Sequence, residues 1–135
     1  MSGLVLKLGP KERVLINGAV IENGDRRTRV SILTPNANIL RMKDALHPEE
    51  ARTPVRRVCY VAQLVLSGDA DPAEARGQLL SGIEQLSQVF RDTDSRRCLQ
   101  DATEAVVADR PYQALKALRT LIAREDRLLA ATGQA

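Results

Sequence analysis

The chain has 135 residues, 44% hydrophobic and 27% charged, the proportions of an ordinary soluble fold of one domain or two small lobes sharing a core. No apolar run approaches the roughly 18 residues that span a bilayer, and Met1 to Lys7 has neither a basic n-region nor an h-region. A net charge of +3 conceals an asymmetry: residues 1–43 hold eight bases against three acids, a net +5, and the rest carries −2.

The expected compartment is the cytoplasm, with Cys59 and Cys98 as reduced thiols in packed interiors. Aromatic residues are only 2% of the chain, which excludes base-stacking platforms and predicts a core of Leu, Val, Ile and Ala. The basic front favours an anionic partner, nucleic acid before membrane.

In chain order, Leu4–Leu8 reads as a strand stopped by Gly9-Pro10. Glu12–Ile16 and Ala19–Glu22 flank Asn17-Gly18, the dipeptide suited to a two-residue hairpin. Asn23-Gly24-Asp25 is a second turn. Arg27–Leu33 alternates, with Thr28, Val30 and Ile32 on one face and Arg27, Arg29 and Ser31 on the other. Thr34–Asn38 is a third turn, and Ile39–Lys43 a last short strand. These strands predict an antiparallel meander or a small barrel-like sheet over residues 1–46.

Residues 47–53 read as a connector around His47-Pro48, and 54–131 as a bundle of about four helices. Thr53-Pro54 supplies an N-cap and first position, Gly68 the stop, and Val55, Val58, Cys59, Ala62, Val65 and Leu66 the inward stripe. Tyr60, Val61 and Leu64 make most of the remaining surface apolar, so this helix is either central or at an oligomer contact. Asp71-Pro72 starts a second helix with Leu79, Ile83, Leu86 and Phe90 as its stripe. Gly77 and Gly82 within it either allow close helix approach or mark a looser helix. Arg91–Arg97 reads as a polar break with Ser95 a candidate cap, followed by a third helix over about Arg96–Ala108. Pro111 opens a fourth, Tyr112 to about Ala130, with Leu115, Leu118, Leu121, Ile122, Leu128 and Leu129 facing inward. Residues 132–135 are expected to fray. The fold class is therefore α+β.

Chemistry-bearing patterns are scarce. One histidine, His47, sits in a proline-flanked connector, and the cysteines occupy apolar settings that raise a thiol pKa. There is no C-x-x-C or H-x-x-x-H spacing, no Walker loop and no G-x-G-x-x-G. The acid pairs Glu49-Glu50 and Glu125-Asp126 are accounted for by solvated faces and capping. No catalytic residue, metal or cofactor is expected, and the chain reads as a binding protein. The candidate anion-binding set is Lys7, Arg13, Arg26, Arg27, Arg29, Arg41 and Lys43, since arginine's planar fork engages phosphates and guanine edges bidentately. If the first and last strands adjoin, Lys7, Arg41 and Lys43 make one basic edge. The competing explanation is that charge on edge strands prevents aggregation.

Leu4–Leu8, Glu12–Gly18, Asn36–Arg41, Thr53–Arg57 and the rear stretch Tyr112–Ile122 with Glu125 together resemble the FlbT family of flagellin-synthesis regulators, in order and at similar length. That resemblance implies a role in bacterial flagellum biogenesis: association with the 5′ untranslated region of flagellin messenger RNA, limiting its translation and lifetime. It also implies coupling to a FlaF-like protein. A weaker resemblance links the front to the carbon-storage regulator family of RNA-binding repressors, intertwined β dimers for which Lys7, Arg41 and Lys43 are the nearest equivalents. Where that family has consecutive first-strand arginines, this chain has Leu8 and Gly9. The alternative is a protein-interaction adaptor that binds a flagellin or another flagellar partner through Tyr60, Val61 and Leu64, or through Lys116 and Arg119. In either case the expectation is a homo-oligomer away from the membrane.

Overall fold

The computed structural model describes residues 4–17, 19–35 and 37–133, so Gly18 and Asn36 of the expected turns, and the last two residues of the expected frayed tail, lie outside the described residues. The chain divides into two compact units, Met1–Ala45 and Leu46–Ala135. An α+β fold results, with antiparallel strands first and helices after.

The first unit holds β1 (Leu4–Leu8), β2 (Arg13–Ile16), β3 (Ala19–Glu22), β4 (Thr28–Ile32) and β5 (Ile39–Arg41). They form a β1–β4 ribbon and a three-stranded sheet of order β3-β2-β5, all antiparallel. This is not a plain meander. Only β2 and β3 are a hairpin of sequence neighbours, with Ile16 opposite Ala19 and Asn17 at φ 49°, the left-handed conformation an Asn-Gly turn needs. β4 returns to β1 and β5 returns to β2. Asn17 directs the second return: its side-chain oxygen accepts from Asn38 N–H (2.9 Å) and its N–H donates to the Asn38 carbonyl (2.9 Å). Leu8, Val14, Leu15 and Leu40 are the buried core of this unit. The expected final strand is shorter than its sequence suggests. After Arg41 the chain enters a 3-10 turn, Met42–Asp44, closed by Ala45 N–H on the Met42 carbonyl (3.1 Å). Arg41 and Lys43 therefore do not share a strand face.

The second unit opens with a 3-10 turn, Pro48–Glu50, in which Glu50 Oε1 accepts from His47 N–H (3.0 Å). Then come α1 (Pro54–Ser67), α2 (Pro72–Ser87), α3 (Thr93–Val107), α4 (Pro111–Arg119) and α5 (Ile122–Ala131). Thr53 caps α1 by accepting from Arg56 N–H (3.4 Å), and Gly68 ends it at φ 82°. α1 packs on α2, α4 and α5, which makes it the central helix. Its buried residues are Val55, Val58, Cys59 and Ala62; Val65 and Leu66 are half-buried. Leu79, Ile83 and Leu86 are buried along α2 as patterned, and Phe90 is buried too, but beyond the end of the helix at Ser87.

Two boundaries differ from expectation. α3 starts at Thr93 because Asp92, not Ser95, is its cap, accepting from Ser95 N–H (3.0 Å). Ser95 lies inside the helix, fully buried, and its hydroxyl accepts from Arg124 Nη1 (2.7 Å). The expected fourth helix is interrupted at Thr120-Leu121, where N–H groups bond three residues back and the Thr120 hydroxyl donates to Ala117 O (2.7 Å). Past this break the stripe drifts: Leu121 is buried, but Leu128 is exposed. Cys98 is likewise half-buried rather than in the packed interior.

Candidate functional site

The β1–β4 register sets the geometry of the basic face. Lys7 lies directly opposite Arg29, and partners across an antiparallel ladder project from the same face. Arg27, two residues before Arg29, joins them: Lys7, Leu8, Gly9, Arg27, Thr28 and Arg29 line a concavity of about 300 Å³. Asn23 holds its rim together. Its side-chain amide donates to the carbonyls of Leu8 (3.3 Å), Gly9 (2.7 Å) and Arg26 (2.9 Å), tying the end of β1 to the start of β4. In the sequence Asn23 is visible only as a turn residue; nothing local signals the two acceptors, Leu8 and Gly9, from a distant segment.

Electrostatics divides the eight bases of this unit. Glu22 pairs with Arg13 (2.9 Å), Asp25 with Lys11 (3.2 Å) and Glu12 with Arg41 (2.9 Å). These are the three acids of residues 1–43. The Arg13 hydrogen bond holds the Glu22 carboxyl below its ordinary range. Glu12 is lowered too, first by the Gly9 N–H it accepts (2.9 Å), against desolvation, with the charges of Arg41 and Lys43 adding. Lys7, Arg26, Arg27 and Arg29 have no ion pair among the described residues, and all four are exposed.

The structure thus gathers Lys7, Arg27 and Arg29, with Arg26 at the adjoining turn. It does not gather Arg13, which is engaged on the β2–β3 hairpin. Arg41 is a half-buried strut between Glu12 and the Lys7 carbonyl, to which its guanidinium donates. The first and last strands do adjoin, as that bond requires, yet the residue joining them is tied up in doing so. Lys43 is exposed on the 3-10 turn, where its charge acts on Glu12.

In the helical unit, Tyr60, Val61 and Leu64 are half-buried along α1. Val61 lines an α1–α2 groove with Pro54, Arg57, Val58, Gly77 and Gln78. Lys116 is exposed, whereas Arg119 is half-buried with its charge felt at the Cys59 thiol. Burial pushes that thiol up to about 12.

Glu125, expected on a solvated or capping face, is buried. Its Oε2 accepts from Val55 N–H (2.8 Å), so α5 caps α1 across 70 residues of sequence. Asp126 takes the Arg56 guanidinium bidentately (2.7 and 3.0 Å). Among the described residues no group of three or more His, Cys, Asp or Glu is placed to hold a metal, and no helix is long and apolar enough to cross a membrane.

A family model described as "Flagellar protein FlbT" matches residues 4–129. A "Probable flagellum biosynthesis repressor protein FlbT" of Caulobacter sp. (strain K31) is 33% identical over 126 residues, covering 93% of this chain and 95% of the relative. A protein of the same name from Rhodopseudomonas palustris (strain TIE-1) is 35% identical over 129 residues, covering 93% and 97%. The "Flagellum biosynthesis repressor protein FlbT" of Caulobacter vibrioides (strain ATCC 19089 / CIP 103742 / CB 15) is 30% identical over 126 residues, covering 93% and 89%. No solved structure matches. With a family match across nearly all of its length, the chain belongs to the FlbT family of flagellar proteins.

Proposed function

We propose that this protein is a cytoplasmic post-transcriptional regulator of flagellin synthesis. It associates with the 5′ untranslated region of flagellin messenger RNA and limits its translation and stability, through the Lys7–Arg27–Arg29 concavity. Relatives named as flagellum biosynthesis repressors support the regulatory part. The observation that carries the RNA part is the like-charge pair Lys7 opposite Arg29. Directly opposed like charges destabilise a ladder. Placed beside Arg27 without a carboxylate partner, the pair is a cost to folding that an anionic ligand offsets.

The test compares Lys7→Ala/Arg27→Ala/Arg29→Ala with Arg13→Ala in gel shifts against a flagellin leader and a scrambled control. The triple variant is expected to fold at least as well, to bind more weakly, and to flatten the log–log salt slope by about 2, at about 0.7 per phosphate on a single strand. Arg13→Ala should bind nearly as the parent does. A salt-insensitive interaction, or equal binding by the triple variant, overturns the reading.

The second reading is an adaptor that binds flagellin or a FlaF-like protein, with messenger RNA affected indirectly. The α1–α2 groove beside Val61 favours it as a place for a partner. Co-purification with and without ribonuclease separates the two readings, since partners retained after RNA removal belong to the adaptor.

A further inference from the structure

β3 is unusual among the strands. All four of its residues are exposed, with Val20 at 61% and Ile21 at 44%, although the two project from opposite faces of the sheet. It is also the end strand of the order β3-β2-β5, with no further partner among the described residues. The hydrogen-bond phase of the hairpin follows from its ends. Asn23 N–H donates to Glu12 O (2.8 Å), and on the other side of β2 Asn17 N–H donates to Asn38 O (2.9 Å). Residues 12, 14 and 16 therefore exchange bonds with β3, and Leu15 with β5. Val20, opposite Leu15, must point its N–H and C=O away from β2, and so must Glu22, opposite Arg13. The free edge thus presents two residues' worth of unpaired backbone between two exposed aliphatic side chains. Natural edges are ordinarily blunted by charged side chains, Pro or a bulge; the one charge in Ala19–Glu22 is Glu22, and it is taken up by Arg13 (2.9 Å).

We infer that β3 pairs with β3 of a second copy of this chain, antiparallel about a two-fold axis at Ile21. In that register the outward groups of Val20 meet those of Glu22 in the partner, on both sides of the axis, forming four backbone hydrogen bonds. Ile21 faces its own counterpart. A second copy is the occupant because the strand is self-complementary in this one register and because the unit needs more core than it has. Among its described residues the buried apolar side chains are Leu8, Val14, Leu15 and Leu40, a small core for a unit of 45 residues. Joining two three-stranded sheets into one of six strands satisfies the outward backbone of Val20 and Glu22 and packs Ile21 against its counterpart. This inference is independent of the RNA reading.

The test is sedimentation of the full chain over a concentration series. The parent is expected to sediment at twice the chain mass. Val20→Pro removes only an outward-facing N–H, which an edge strand tolerates, and should sediment at the chain mass with unchanged circular dichroism. In a Cys98→Ser background, Ile21→Cys should oxidise to a disulfide-linked dimer and Val20→Cys should not, since Val20 faces Glu22 across the axis. A parent that is monomeric throughout, a Val20→Pro variant that stays dimeric, or equal cross-linking at the two positions overturns the inference. So does a monomeric chain whose β3 edge captures a foreign extended peptide, which would assign the edge to another protein.

Discussion

The two glycines of α2 should respond oppositely to the same substitution. A Cβ built on Gly82 falls 2.5 Å from Val58 Cγ2 on α1, whereas one built on Gly77 meets nothing within 4 Å. Alanine in a helix interior is worth about 1 kcal/mol over glycine, and both sites receive that gain. At Gly77 nothing opposes it, so Gly77→Ala should stabilise by about 1 kcal/mol, roughly 3 °C in a protein this size. At Gly82 the contact must open by more than half an ångström against Val58, whose β-branched side chain has little rotameric freedom. Overpacking of that kind costs about 1–3 kcal/mol, so the net effect runs from near zero to about 2 kcal/mol destabilising. The difference between the two variants cancels the propensity gain and isolates the close approach, at about 1–3 kcal/mol. Urea unfolding followed at 222 nm reads it directly, because the helices dominate that signal. Equal stabilisation by both substitutions would refute a close α1–α2 approach through Gly82.

Removing the carboxylate of Glu125 with Glu125→Ala leaves the buried Val55 N–H without its acceptor, and should cost about 2–4 kcal/mol in the same assay. In that variant Arg56 keeps its two bonds to Asp126, so the loss is confined to the Val55 N–H and the Arg56–Glu125 contact (3.6 Å). The thiols should separate in a native labelling experiment at pH 8. Cys59 is buried with its thiol pushed up to about 12, and Cys98 is half-buried, its Sγ 3.2 Å from Thr120 Oγ1. One equivalent should react before unfolding and the second only after it. Asp126 is held below the ordinary carboxylate range chiefly by its hydrogen bond from Arg56, and Asp92 chiefly by its hydrogen bonds with Ser95. A carboxylate with a depressed folded pKa stabilises above its unfolded value and loses that contribution as pH falls through the folded one. The helical unit should therefore weaken on acidification below about pH 4, and Asp92→Asn with Asp126→Asn should flatten that limb of a thermal-melt series.

Most of the local structure was legible because local chemistry decides it. Asn17 turns β2 into β3, Thr53-Pro54 and Asp71-Pro72 open helices, and Gly68 closes one, each through a rule that operates within a few residues. What the sequence could not carry was the choice of long-range partner. Arg41 and Arg29 look alike in a strand pattern; one becomes an internal strut because Glu12 sits across the turn, and the other faces Lys7 because β4 folds back on β1. Ser95 and Asp92 are both acceptable caps three residues apart, and Arg124, 29 residues downstream of Ser95, settles the matter by taking up the Ser95 hydroxyl inside the unit. The same limit governs the candidate site. Composition located the positive charge in the first third of the chain, but only strand register separates the bases that neutralise neighbours from those without an ion pair among the described residues. Charge-cluster arguments from sequence therefore overcount binding residues wherever acids are interleaved. Here Arg13 and Arg41 should be removable with little direct effect on anion binding, whereas Lys7, Arg27 and Arg29 should not.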